Sequence, residues 1–307
     1  MTTEANRLEE MKRRFGAGHF ADVPGARLHY ARMGEKGPPL ILLHGWPEFW
    51  LTWYRNMPAL AERYRVFAPD IRGFGESRSH DRPAHAALTP DIIAADLVAL
   101  MDALEIERAG FVAHDVGANA MQCFARLYPE RVAALFFFNC PYPGIGRRWA
   151  DADSIPEIWY QTFNQLSLAK ALVGYNRDTV ALYIGWILSH WSHDPACFAA
   201  DVELWIENFS APGALEGGFA WYKGIDTARR SMIRDGPPVD LSPIDAPTRV
   251  LWGESDKVLR PEWVDRLGDW FSDVRVSIQP SAGHFVHYEQ AEMANREMLR
   301  FFQASLA

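Results

Sequence analysis

Cysteine is scarce in this chain, with three in 307 residues: Cys123, Cys140 and Cys197. The number is odd and none sits in a CxxC or Cys/His ligand spacing, so neither a disulfide framework nor a zinc site is indicated. Long apolar runs are missing as well. None reaches the ~18 residues a membrane-spanning helix needs. The first residues, MTTEANRLEEMKRRFG, carry charges where a secretory signal needs an apolar stretch. A cytoplasmic protein without membrane attachment is therefore expected. Basic excess is lacking too: 31 Lys and Arg stand against 39 Asp and Glu, a net charge of −8. That balance excludes the usual signature of a nucleic-acid or anionic-membrane binder. It fits a protein acting on a neutral small molecule, either as a monomer or as a homodimer.

What is present is the material of a large core, 49% hydrophobic and 13% aromatic residues. Short apolar runs at 27–32, 40–44, 64–69, 110–114 and 132–138 read as strands, several of them apolar on both faces, as strands buried between helix layers are. A helix from Asp91 to about Glu105 has Ile93, Leu97, Leu100 and Leu104 on one face, with Thr89 at its cap and Pro90 in its first turn. Strands at 248–252 and 274–279 and an amphipathic helix over about 288–304 close the chain. The alternation predicts an α/β fold, a mostly parallel sheet with helices on both faces. Residues 145–228 show helical spacing and many aromatics but little strand pattern. They read as a helical lid, or cap, inserted into a core formed by residues 1–144 and 229–307. Such a lid encloses an apolar pocket over the sheet edge where α/β folds place their sites.

Three motifs carry chemistry. Ala113-His114-Asp115-Val116-Gly117 follows the strand GFVAH and precedes a helix. Small residues around an exposed residue at a strand-to-helix turn define a nucleophile elbow, and a helix N-terminus keeps a carboxylate ionised. On its own the motif is equally the N-cap of an ordinary helix. His44-Gly45-Trp46-Pro47 follows the strand LILLH, where such a turn donates a backbone N–H to an oxyanion hole. The donors would be the N–H groups of Trp46 and Val116. Asp256 follows the strand TRVLW and His284 follows VRVSIQ. The order nucleophile, acid, histidine is that of the α/β-hydrolase fold, with His284 the base and Asp256 its orienting carboxylate.

With HGWPEFW (44–50), APDIRGFGES (68–77), AHDVGA (113–118), YPERV (128–132), WGESD (252–256) and AGHF (282–285), the chain resembles the epoxide hydrolases of the α/β-hydrolase superfamily, most of all the bacterial soluble enzymes. The resemblance spans nearly the whole length. It implies two lid tyrosines that bind the epoxide oxygen. The segments WYQTF and GGFAWY, together with SHWSHD (189–194), resemble the lid of that family and point to Tyr160 and Tyr222. One departure is Ala113, where many relatives have Gly; it still lacks bulk.

The reaction so implied joins an epoxide and water into a vicinal diol through an ester on Asp115, with no metal and no organic cofactor. Trp46, Phe49, Trp50, Trp159 and Phe163 are expected to wall a small hydrophobic epoxide. A haloalkane or haloacid dehalogenase shares the Asp nucleophile. Its halide-binding Trp or substrate-binding arginines would fall at positions held here by Val116 and Asn119. A serine esterase or lipase is disfavoured further, since no GxSxG occurs and the elbow residue is Asp115. A non-catalytic small-molecule receptor on the same scaffold is the remaining alternative, opposed by an intact nucleophile, acid and base. The His pairs 284/287 and 190/193 lack a third metal ligand in the sequence.

Overall fold

A computed structural model describes residues 3–81 and 83–306. Nine strands form one sheet: β1 (His19–Val23), β2 (Ala26–Met33), β3 (Pro39–Leu43), β4 (Arg65–Pro69), β5 (Arg78–Ser79), β6 (Ala109–His114), β7 (Val132–Phe138), β8 (Thr248–Gly253) and β9 (Val274–Gln279). Their order is β1-β2-β4-β3-β6-β7-β8-β9, with β5 beside β2. From β4 to β9 every pairing is parallel; β2 pairs antiparallel with β1, β4 and β5. The helices are α1 (Thr3–Arg14), α2 (Met57–Ala61), α3 (Pro90–Ala103), α4 (Asp115–Leu127), α5 (Trp159–Phe163), α6 (Ser167–Val173), α7 (Arg177–Trp191), α8 (Val202–Ser210), α9 (Ala214–Asp235), α10 (Val286–Glu289) and α11 (Ala291–Ser305).

The apolar runs became the central strands because both of their faces are covered. Successive residues of a strand point to opposite faces. In β6 a Cβ at Gly110 would meet Leu40, Phe302 and Leu306, whereas the Phe111 ring meets that of Phe124 of α4 at 5.3 Å. So α11 covers one face and α4 the other. Strand β7, VAALFFF, repeats the arrangement: Phe136 packs on Phe301 and Phe302, Phe137 on Phe271.

Three differences from the sequence reading have local causes. Strands β1 and β5 lie outside the apolar runs, because β1 buries only Ala21 and Val23 of its five residues and β5 is two residues long. The C-terminal helix is two helices, broken at Gln290 (φ −120°, ψ 45°). There the Glu289 carboxylate turns back to accept the N–H groups of Gly283 and Phe285 at 3.0 and 3.1 Å and that of His193 at 2.7 Å. Between β7 and β8 the chain is helix and loop only, and α9 runs past residue 228 to Asp235. No described helix is long and apolar enough to cross a membrane.

Helix α9 lies directly on the sheet's loops. A Cβ at Gly217 would fall 1.8 Å from the Gly73 carbonyl oxygen, and one at Gly224 1.8 Å from that of Leu88. Glycine costs helix stability. Here it allows a backbone-to-backbone approach that no side chain permits, and this approach sets the height of Tyr222 above the sheet.

Candidate active site

Asp115 is the first residue of α4, at the end of the central strand β6, with φ +43°. A left-handed backbone at a non-glycine residue is strained, and here it lifts the side chain off the sheet edge. The neighbouring turn is fixed tightly against it. Gly117 N–H donates to the His44 carbonyl at 3.1 Å, and a Cβ at Gly45 would lie 2.7 Å from Asp115 Cβ. His44 holds the same turn: Nδ1 bonds the Gly45 carbonyl at 2.9 Å and Nε2 accepts the Ile71 N–H at 3.0 Å. Burial lowers its pKa, which keeps the ring neutral for that accepting role. Trp46 and Val116 thus flank Asp115. The Val116 N–H belongs to the first helical turn, which has no intrahelical acceptor.

His284 Nε2 lies 3.5 Å from Asp115 Oδ2, and its Nδ1 is 2.9 Å from Asp256 Oδ2. Asp256 is itself immobilised. Its Oδ1 accepts the N–H groups of Val258 and Leu259 at 2.8 and 3.0 Å, and Asn139 donates to its Oδ2. The His284 loop hangs from the SHWSHD segment, because the Trp191 carbonyl accepts the His284 N–H at 2.8 Å. Trp191 also packs at a tilt on Tyr160, 4.8 Å between ring centres, and Tyr160 meets Tyr222 edge-on at 5.5 Å. Asp115, Tyr160 and Tyr222 line one cavity of about 140 Å³. Its apolar walls include Tyr142, Trp149, Trp221, Ile225, Met232 and Leu259.

A nucleophile-type elbow, an acid and a histidine at three strand ends of such a sheet agree with the comparison to known families. Residues 38–291 match the family described as alpha/beta hydrolase fold. The chain belongs to that family. Within it, this hydrolase-fold chain is 30% identical over 298 residues to the soluble epoxide hydrolase of Corynebacterium sp. (strain C12), covering 92% of this chain and 96% of that one. It is 28% identical over 287 residues to epoxide hydrolase 4 of Homo sapiens, at 91% and 76% coverage. The crystallised epoxide hydrolase CorEH superposes with a TM-score of 0.78 at 27% identity, over 93% of this chain and 98% of that one. The chain falls in the epoxide-hydrolase branch of the family.

None of the five expected wall aromatics lines the cavity of this hydrolase-fold chain. Trp46 is fully buried, edge-on to Phe209 and Phe219, and reaches the site only through its 6.1 Å contact with Tyr222. Phe49 packs on Trp205, and the Trp50 N–H bonds Asp70. Trp159 is 40% exposed and packs at a tilt against Phe163 and Trp186. Closeness in sequence to a motif does not say which way a ring turns.

Sequence reasoning also missed a buried group behind the site. Glu48 Oε2 is 2.7 Å from His114 Nδ1, and His114 Nε2 is 2.9 Å from the His284 carbonyl. His287 Nε2 is 3.1 Å from Glu48 Oε1, and Gly45 N–H and Thr52 hydroxyl also donate to that carboxylate. Glu48, His114 and His287 are the group of metal-ligand type found among the described residues. Their ligand atoms already bond to one another and to the backbone. Burial would raise the Glu48 pKa, but His114 and the donors around it hold it well below the carboxylate norm. This chain of bonds ties the HGWPE turn, the elbow and the His284 loop together. The Glu in HGWPE and the His in AHDV were the available signals. The other His pair diverges: His190 bonds Glu157 and His193 bonds Ser255.

Burial alone would lower the His284 pKa. The Asp256 charge and the bonds to Asp115 and Asp256 reverse this and raise it from 6.5 to about 10. Both phenols are pushed well above 10, first by burial. For Tyr160 the Asp115 charge comes next, and for Tyr222 it follows the effect of Tyr160. At neutral pH both are protonated donors beside a carboxylate.

Proposed function

We propose that this protein hydrolyses epoxides to vicinal diols, with the helical stretch between β7 and β8 acting as a cap over the site. The observation that carries the reading is the meeting of Asp115, Tyr160 and Tyr222 on one small cavity, with His284 and Asp256 behind Asp115. Epoxide opening needs an anion at carbon and a proton donor at oxygen. Asp115 supplies the first and the phenols supply the second. Asp115 attacks one ring carbon, the C–O bond breaks, and a phenol proton passes to the departing oxygen. The alkoxide is a stronger base than the phenolate, so the transfer runs downhill even from a buried phenol. A hydroxyalkyl ester of Asp115 results.

Esterification changes the electrostatics that support the next step. The Asp115 charge, which raises the His284 pKa, is gone, and the lowering effect of burial gains weight. His284 then gives up its proton more readily, the phenolate regains the one it lost, and the neutral ring takes a proton from a water that attacks the ester carbonyl. The N–H groups of Trp46 and Val116 stabilise the tetrahedral oxyanion, about 3 kcal/mol for each donor in comparable sites. Collapse releases the diol as its departing oxygen takes the proton from His284, and the proton left on the carboxyl passes to His284, which restores the resting Asp115–His284 pair. A dehalogenase would form an alkyl ester on the same Asp115, but its leaving halide needs no proton, whereas an epoxide oxygen does.

Two expected outcomes test these roles. Tyr160→Phe and Tyr222→Phe should each lower kcat/KM for an epoxide by about 10- to 100-fold, and the double variant by more; double-variant activity near wild type would remove the phenols from the chemistry. In single-turnover measurements, ester breakdown should rise with pH through a pKa below about 10, the value in the free protein. A breakdown rate that falls as pH rises would contradict a neutral His284 base.

A further inference from the structure

The cavity wall holds one cation among its lining residues, Arg229. It stands on α9 seven residues beyond Tyr222, so the two side chains leave the same face of the helix, roughly 10 Å apart along its axis. Arg229 is 9% exposed. Its Nη2 lies 3.7 Å from Asp226 Oδ1, too far for a hydrogen bond. That carboxylate is held by Arg230 at 2.7 Å and by Gln165 at 3.0 Å. Arg229 Nε and Nη1 are buried and have no hydrogen-bond partner among the described residues. A guanidinium keeps its charge in proteins, and a buried charge without bonded partners is unfavourable. In a closed core such a residue would be a defect. On the wall of a substrate cavity it is an open donor set for an anion.

We infer that the cavity takes an epoxide bearing a carboxylate at the end remote from the ring, and that Arg229 binds this carboxylate and sets the preference for it. The inference rests on the epoxide-hydrolase reading and narrows the expected hydrophobic substrate. The body remains apolar, against Trp149, Trp221 and Met232, while the far end is charged. Tyr222 and Arg229 stand two turns apart on one face of α9 and both line the cavity, so an elongated substrate can meet a phenol at one end and the guanidinium at the other. A second anion entering beside Asp115 needs a cation at its far end, and Arg229 is placed there. A guanidinium also suits a carboxylate better than an ammonium would, because its planar donors match two oxygens.

The test compares 4-(oxiran-2-yl)benzoate with the neutral 4-(oxiran-2-yl)benzamide, which has nearly the same shape. Wild type is expected to favour the acid in kcat/KM. In Arg229→Met the ratio of acid to amide should fall about 100-fold, the usual cost of removing one partner of a buried charge pair. A ratio unchanged by the substitution, or a wild type that favours the amide, would overturn the inference. So would an equal loss on both substrates, since that would assign Arg229 to the phenols rather than to the substrate charge. If Arg229→Met does not fold, Arg229→Gln carries the same comparison. Binding of the unreactive 4-vinylbenzoate and 4-vinylbenzamide, followed by tryptophan fluorescence, separates this inference from the hydrolase reading. A protein that turns over neither epoxide yet binds the acid through Arg229 fails the second and keeps the first. Equal binding of acid and amide fails the first.

Discussion

Asp115→Asn is expected to abolish diol formation, by about 10⁴-fold or more, while the protein stays folded. The magnitude is that of removing the attacking group from a site whose members act as a unit. No second carboxylate is placed to take over, because Asp115 is the only acidic residue lining the cavity among the described residues. Asn is the informative replacement. Position 115 has φ +43°, and Asn tolerates the left-handed region better than Ala does, so the melting temperature should change little. The assay is diol release from terminal and aryl epoxides, with haloalkanes and haloacetates run beside them for halide. Halide without diol would make the protein a dehalogenase and remove the phenols from the proposal. Neither product, from a folded wild type, would favour a receptor on a hydrolase scaffold.

His284→Gln should separate the two halves of the reaction. The first half needs the Asp115 anion and the phenols, neither of which depends on a base. The second half needs water activated by His284, whose ring is held by Asp256 at 2.9 Å and stands 3.5 Å from Asp115. The variant is therefore expected to consume about one equivalent of epoxide and then stall, with turnover lowered by about 10³-fold or more. The mass of the intact protein should increase by that of the substrate, and the adduct should map to Asp115. A folded variant that leaves the epoxide untouched and carries no adduct would place His284 in the first step and sink the two-step order.

The contrast between what the sequence revealed and what it concealed follows from how local each feature is. The strands at 132–138 and 274–279 were legible to the residue, because a strand covered on both faces is an unbroken apolar run and an amphipathic one alternates. Asp115, Asp256 and His284 were legible for a related reason. Each follows a strand of a parallel sheet, so a local pattern fixes its place on one edge, and the structure brings all three within 3.5 Å of a neighbour in the set. Tyr160 and Tyr222 needed the likeness of their segments to a family, since helical spacing alone reads as packing.

What the sequence by itself determined is the sheet, the order of its strand-end residues and the character of Asp115 as an elbow carboxylate, all of which depend on neighbours a few positions apart. Only the tertiary structure decided which aromatics face the cavity, that Glu48 joins His114 and His287 from 66 and 239 residues away, and that Arg229 Nε and Nη1 have no hydrogen-bond partner among the described residues on the cavity wall. Periodicity shows that a helix has a buried face. What that face is buried against, whether a ring, a carboxylate or a space for substrate, is set by elements far away in the chain that pack against it.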